Sequence, residues 1–200
     1  IPPKAVVAEN KPAPKISKAE PKQNPKISHS SAKNLHWTQM SDEQMREIYG
    51  NYSRDITKPY SGSAEDLNKY LKGKGVLSEQ GQAFIDAQNK YGISAAVLAG
   101  IAISESGGTS SLARKRFNVT SISSSRGWRR FNNVSECIDY TASMLANRYV
   151  KNSGLSGVSL KTLYQINAKY CPVSDTRNNS SNNRFWAQNV ENKVREIEKA

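Results

Sequence analysis

The chain has 200 residues and a mass of 22.1 kDa, room for one full-sized domain with a tail but not for two large ones. Hydrophobic residues make up 36% of it and the mean hydropathy is −0.69, so part of the sequence does not enter a core. Lys plus Arg number 29 against 17 Asp plus Glu, and the formal charge of +12 points to a polyanionic partner, with nucleic acid, anionic lipid and anionic cell-wall polymer all open.

Residues 1–33 hold six of the eight prolines and seven lysines, against only Glu9 and Glu20. Without aliphatic periodicity such a stretch cannot offset its ordering entropy, and it reads as an extended linker. A basic nucleic-acid arm is the competing reading, weakened by the lack of arginine and aromatic residues. No apolar run approaches the roughly 18 residues needed to cross a bilayer. The start at Ile1 fits a chain processed upstream, with a signal peptide or membrane anchor removed.

From Ser41 onward, short helices alternate with caps. Ser41 and Gln44 form a capping box ahead of Met45 and Ile48, and Ser63 opens a helix that stops at Gly73. A helix from Ser78 to Tyr91 ends at Gly92, and Ser94 caps another over 95–105. That segment, AAVLAGIAIS, is apolar on every face, which predicts a central buried helix. Residues 117–134 are β-branched and aromatic on either side of SSSRG, the pattern of a small hairpin. Helical spacing resumes at Ser135, at Ser159 and finally over Trp186, Val190, Val194 and Ile197. Tyr49, Tyr52, Tyr60 and Tyr70 are expected to pack the first helices onto the rest. The fold class is mostly α (α+β), with one β-hairpin lobe.

The chemistry centres on Glu105, where the apolar helix breaks at Gly107 and Gly108. Burial and the negative end of the helix dipole both disfavour its ionised form, and a carboxyl kept protonated near neutral pH is what a general acid requires. A plain polar residue at a helix mouth is the bland alternative. Cys137 and Cys171 fit either one disulfide or two buried thiols, and their spacing from His29 and His36 speaks against a zinc site.

The stretch FIDAQNKYGISAAVLAGIAISESGGTSSLA, followed by NVTSI, resembles the N-acetylglucosaminidases of glycoside hydrolase family 73, the autolysin and flagellar muramidase-like enzymes. WRRFNNVSECIDYTASMLANRYV, YQINAKYCP and FWAQNV extend the likeness over about residues 64–200. The resemblance implies a lysozyme-like fold with a peptidoglycan cleft between an α lobe and the hairpin. It divides the chain into a linker (1–33), an N-terminal helical extension packed on the domain (34–75) and the glucosaminidase domain (76–200). It places Glu105 as general acid, Tyr170 opposite it in the cleft and Asn118 at the opening of the β lobe. It departs from the family at Ser121, where a glycine is expected, and at Cys171 with the insertion PVSDTRNNSSNNR.

Glycosidases ordinarily use two carboxylates, yet no Asp or Glu lies between Glu105 and Glu136. Glu136 is therefore the nearest second catalytic candidate, with a first-turn helix residue as the competing reading. A substrate N-acetyl group acting as nucleophile would make it unnecessary, with Tyr170 steadying the intermediate. Asn118, Ser121, Trp128 and Tyr164 are the candidate substrate-binding residues, and Arg126, Arg129 and Arg130 beside Trp128 offer stacking and acid-pairing groups or a plain solvated charge run. The resemblance further implies an exported, wall-associated enzyme without cofactor or metal, a Cys137–Cys171 disulfide, glycan strands as substrate, anionic wall polymers held by the basic linker, and no nucleic-acid partner. A lytic transglycosylase and a non-catalytic wall-binding scaffold are the rival functions.

Overall fold

The computed structural model describes residues 35–174 and 180–200. The linker expected over 1–33 and the middle of the 172–184 insertion lie outside these residues.

Helix α1 (Asp42–Tyr49) begins where the sequence places it: Ser41 Oγ accepts Gln44 N at 3.2 Å, and Gln44 Oε1 accepts Ser41 N at 2.8 Å. Ser63 and Asp66 repeat the device at the start of α2 (Ala64–Leu71). Each such cap satisfies orphan amides at a helix start and stabilises it by about 1 kcal/mol. The next helix, α3 (Gly81–Tyr91), starts three residues later than expected, because a 3₁₀ turn (Gly75–Leu77) precedes it and Glu79 takes φ 62°. Gly92, at φ 68°, ends it as anticipated.

The apolar helix is α4 (Ala95–Ser106), fully buried from Ala95 to Ala102. Ser94 stands at its N-cap but contributes no side-chain bond; Gln88 Oε1, from α3, accepts Ala95 N at 2.8 Å in its place. A short α5 (Ser111–Arg116) follows that the sequence pattern did not reveal, being capped by Ser110 but carrying almost no apolar periodicity. Strands β1 (Ser123–Ser124) and β2 (Gly127–Trp128) pair antiparallel with Ser123 opposite Trp128, a smaller hairpin than the 117–134 span suggested. Helix α6 (Val134–Leu145) runs on into a π-helical turn (Ala146–Lys151). Helix α7 (Leu163–Tyr170) starts after the expected Ser159, since the chain before it is extended and Lys161 O accepts Ile56 N at 2.9 Å. Two more helices, α8 (Ser180–Asn183) and α9 (Trp186–Ile197), complete the described chain.

The core is organised around α4. Helix α9 lies along it at close range, where a Cβ on Gly100 would sit 3.0 Å from Val194 Cγ2, and α3 covers another face while α6 packs on α3. The first helices join the same core. Tyr49 is buried and its hydroxyl accepts Val173 N at 3.2 Å, while Tyr52, Tyr60 and Tyr70 pack against the core's edge and the Tyr70 hydroxyl meets Glu196. Arg54 reaches Glu191 at 2.6 Å and Glu198 at 2.6 Å, fastening the segment after α1 to α9.

Tyr164 must be removed from the substrate-binding candidates. It is 1% exposed, and its hydroxyl donates to Asp42 Oδ1 at 2.7 Å, so it joins α7 to α1. The expected Cys137–Cys171 disulfide is not formed. Cys137 lies in the first turns of α6 facing inward, with Sγ 3.3 Å from Thr120 Oγ1, and burial pushes its thiol pKa up.

Candidate active site

Helix α4 delivers Glu105 to the point where the 118–122 loop, the end of α7 and the start of α9 meet. Gly107, at φ 58°, turns the chain away at once, and the following loop is pinned by Val76 N donating to Gly108 O at 3.0 Å. Gly108 tolerates no side chain, since a Cβ there would collide with the carbonyl of Lys74. The position of the carboxyl is thus set by rigid backbone on both sides.

Trp186 Nε1, on the first turn of α9, donates to Glu105 Oε1 at 2.8 Å. The Ser121 side chain lies near the same carboxyl and, like the indole, favours its ionised form. Burial raises the Glu105 pKa, and these two polar neighbours offset it only in part, leaving the net shift upward. Both partners are neutral, so desolvation rather than a neighbouring charge holds the proton on Glu105. The side chain retains partial exposure and can hand that proton to a bound group.

Tyr170 stands beside Glu105. Its ring lies between Tyr149, with centroids 6.4 Å apart, and Trp186, at 5.1 Å, and its hydroxyl donates to Thr120 O at 2.8 Å. Burial first, then the Glu105 charge, push its phenol well above the ordinary range, so it remains a neutral donor. Thr120 is itself fixed from below, with Oγ1 2.7 Å from Thr141 Oγ1. The Tyr170 bond thus ties the end of α7 to the β-lobe loop, and the Thr141 bond ties that loop to α6.

Asn118 is not a substrate-binding residue. It is fully buried, Oδ1 accepts Ile122 N at 2.9 Å, and Nδ2 donates to Ile122 O at 2.7 Å and Arg129 O at 2.9 Å. All of its polar capacity shapes the lobe. Ser121 takes φ 55°, the left-handed conformation that a glycine adopts at no steric cost, which accounts for the glycine expected at this place. What serine adds is a hydroxyl near Glu105 that favours its carboxylate.

Substituting Ser121 by Gly therefore has two expected results. Melting temperature rises, from relief of about 1 kcal/mol of left-handed strain. Losing a hydroxyl that favours the carboxylate also moves the alkaline limb of the pH–rate profile upward. An unmoved or lowered limb would show that the Ser121 hydroxyl plays no part in setting the acid.

Glu136 is exposed, and its Oε2 accepts Asn132 N at 2.7 Å while Asn133 Oδ1 accepts Glu136 N at 2.8 Å. Both bonds fasten the start of α6, which favours the helix-start reading of Glu136 over the second-catalyst one. Glu136→Gln is expected to lower stability by no more than about 1 kcal/mol and to leave most of the turnover. Chemical denaturation and kinetics on one preparation check both. Trp128, by contrast, is 48% exposed on β2 and available to a ligand.

Trp186 is the site residue that sequence reasoning missed. It was visible only as an apolar position of the last helix; nothing local signals that its indole reaches a carboxyl 81 residues away. Among the described residues no group of His, Cys, Asp and Glu is arranged to hold a metal ion.

Comparison with known proteins settles the family. A family model described as Glucosaminidase, mannosyl-glycoprotein endo-beta-N-acetylglucosaminidase, matches residues 81–199, more than half of the chain. The chain belongs to the glucosaminidase family. This glucosaminidase is 37% identical over 107 residues to a bifunctional autolysin of Staphylococcus epidermidis, and 35% identical over 107 residues to one of Staphylococcus aureus. Each match covers 52% of this chain, which spans about 8% of the length of those relatives. Among solved structures, a catalytic mutant of S. aureus autolysin E in complex with the disaccharide NAG-NAM aligns with a TM-score of 0.60 at 21% identity, covering 80% of this chain and 79% of that one. The same autolysin with the muropeptide NAM-L-Ala-D-iGlu gives 0.59 at 23% identity, over 80% and 78%. These likenesses show a shared fold, the lysozyme-like helical domain with a small β lobe.

Proposed function

We propose that this glucosaminidase hydrolyses β-1,4 bonds in cell-wall peptidoglycan after N-acetylglucosamine, with Glu105 as the general acid. The observation that carries the reading is a desolvated carboxyl held by the neutral Trp186 indole at the end of a buried helix, in a chain of this family. In the first step Glu105 gives its proton to the glycosidic oxygen as the bond from C1 to that oxygen breaks. With Glu136 committed to a helix cap, the acetamido oxygen of the same sugar is the nucleophile, forming an oxazolinium ring at C1. Water then adds to C1 as the ring's own C1–O bond breaks and restores the acetamido group, and the water gives a proton to the Glu105 carboxylate. Tyr170 stays neutral throughout and holds the β-lobe loop against the reacting sugar. Trp128 supplies a stacking face for a further sugar.

The wall-associated location follows from the same reading, and no helix among the described residues is long and apolar enough to cross a membrane. We assign 34–75 as an extension integral to the domain, supported by the Tyr49, Tyr164 and Arg54 bonds, and 1–33 as its basic tether. Digestion of purified peptidoglycan followed by mass spectrometry of the released ends tests the function. Reducing N-acetylglucosamine ends are expected. Anhydro ends would make the chain a lytic transglycosylase, and release of no glycan at all would leave a wall-binding scaffold.

A further inference from the structure

Among the described residues Arg46 pairs with Asp42, Arg54 and Arg195 with Glu191, Lys69 with Asp66, Lys90 with Asp139 and Lys193 with Glu196. The β lobe carries none of these pairs. Between Glu105 and Glu136 there is no acidic residue, but there are Arg114, Lys115, Arg116, Arg126, Arg129 and Arg130, all exposed and none paired with a carboxylate among the described residues.

The fold gathers these six onto one lobe. Arg116 Nη1 donates to Trp128 O at 3.0 Å and Arg130 Nη1 donates to Lys115 O at 2.7 Å, so the end of α5 is clamped to the arm of the hairpin. Arg129 lies over the Tyr140 ring at 4.1 Å. Bonds to carbonyls and rings orient these guanidinium groups without neutralising them, and their remaining donors stay available. Part of the cluster has a local use, since cations in the last turn of α5 favour its dipole by about 0.3–1 kcal/mol each. Arg126, Arg129 and Arg130 lie outside that helix, where no such benefit applies.

We propose that this lobe is a binding surface for an extended phosphodiester polymer of the cell wall, of the poly(glycerol phosphate) kind. Five of the six cations are arginines, whose forked donors match phosphate oxygens. They are spread over a helix end and a hairpin rather than converging on one pocket, which suits a chain of repeating charges better than a single stem carboxylate. The choice of wall polymer rests on the wall-hydrolase reading. The surface would hold the enzyme beside its glycan substrate and concentrate it where such polymers are attached.

Binding of fluorescently labelled, deacylated poly(glycerol phosphate) to the full chain, followed by anisotropy at about 0.05 M salt, tests this. Arg114→Glu/Lys115→Glu is expected to weaken binding about tenfold or more, and Lys72→Glu/Lys199→Glu, an equal charge change at exposed sites elsewhere, by less than about twofold. Arg126→Glu, at the hairpin turn, is a separate probe expected to weaken binding about threefold alone. Equal weakening by the two double variants, or none in either, would overturn the proposal, as would tighter binding of single-stranded DNA of matched charge. The assay contains no glycan, so a chain that binds the polymer yet releases no glycan ends would contradict the proposed hydrolysis alone.

Discussion

Glu105→Gln is expected to remove at least about 99% of glycan-cleaving activity while leaving the far-ultraviolet circular dichroism unchanged, because proton donation by a positioned group is worth about 10²-fold or more. Glutamine keeps a carbonyl oxygen to accept the indole N–H of Trp186 at the place where Glu105 Oε1 accepts it at 2.8 Å, so the local structure has no reason to rearrange. The substitution carries a second, opposite effect on stability. Glu105 has a folded pKa raised above its ordinary value by burial. The folded state therefore binds this proton more tightly than the unfolded one. Its contribution is fully present below the ordinary carboxylate range and is lost as pH rises through the folded value. The Gln variant titrates no such group, so its stability should exceed that of the parent increasingly as pH rises, with the difference levelling off above the folded value. Denaturation midpoints at a series of pH values measure it. An active Glu105→Gln protein, or one that loses stability relative to the parent at alkaline pH, would contradict the assignment.

Asn118→Ala is the largest structural loss expected. Its amide satisfies three backbone groups, Ile122 N, Ile122 O and Arg129 O, from a position fully closed to solvent. Each group left buried without a partner costs about 1–3 kcal/mol, so a total loss of about 3 kcal/mol or more is expected. Because the loop it shapes also carries Thr120, which receives the Tyr170 hydroxyl, and Ser121, which lies near Glu105, turnover should fall with it. Urea midpoints and activity at temperatures well below melting separate the two losses. A variant within about 0.5 kcal/mol of the parent would show that water replaces the amide and that Asn118 is not the staple of the lobe.

The local parts of the fold were readable before the structure. Ser41, Ser63, Gly92 and Gly107 act on amides or carbonyls within one turn of themselves, and each does what its residue type and spacing suggest. Glu105 was legible for the same reason: an apolar run ending in a carboxylate and two glycines is a statement about burial that needs no partner. What failed depended on partners far along the chain. The amide of Ala95 is met by Gln88 rather than by the serine beside it, and Trp186 reaches Glu105 across the core. The resemblance puts Asn118 at the opening of the β lobe, and Tyr164 stands with it among the substrate-binding candidates, but buried polar groups must be satisfied from within. Asp42 and the backbone of residues 122 and 129 consume them. Glu136 is the converse case, in which the first-turn position outweighed the search for a second carboxylate.

The measurement that bears most directly on Glu105 as proton donor is a titration of its side-chain carboxyl carbon by NMR, with Glu105→Gln identifying the resonance, alongside the pH dependence of kcat/KM. The account predicts a Glu105 pKa above the ordinary glutamate value of 4.5 and an alkaline limb of the rate profile that coincides with it. A Glu105 carboxyl that titrates at or below that value, or a limb unrelated to its titration, would contradict it.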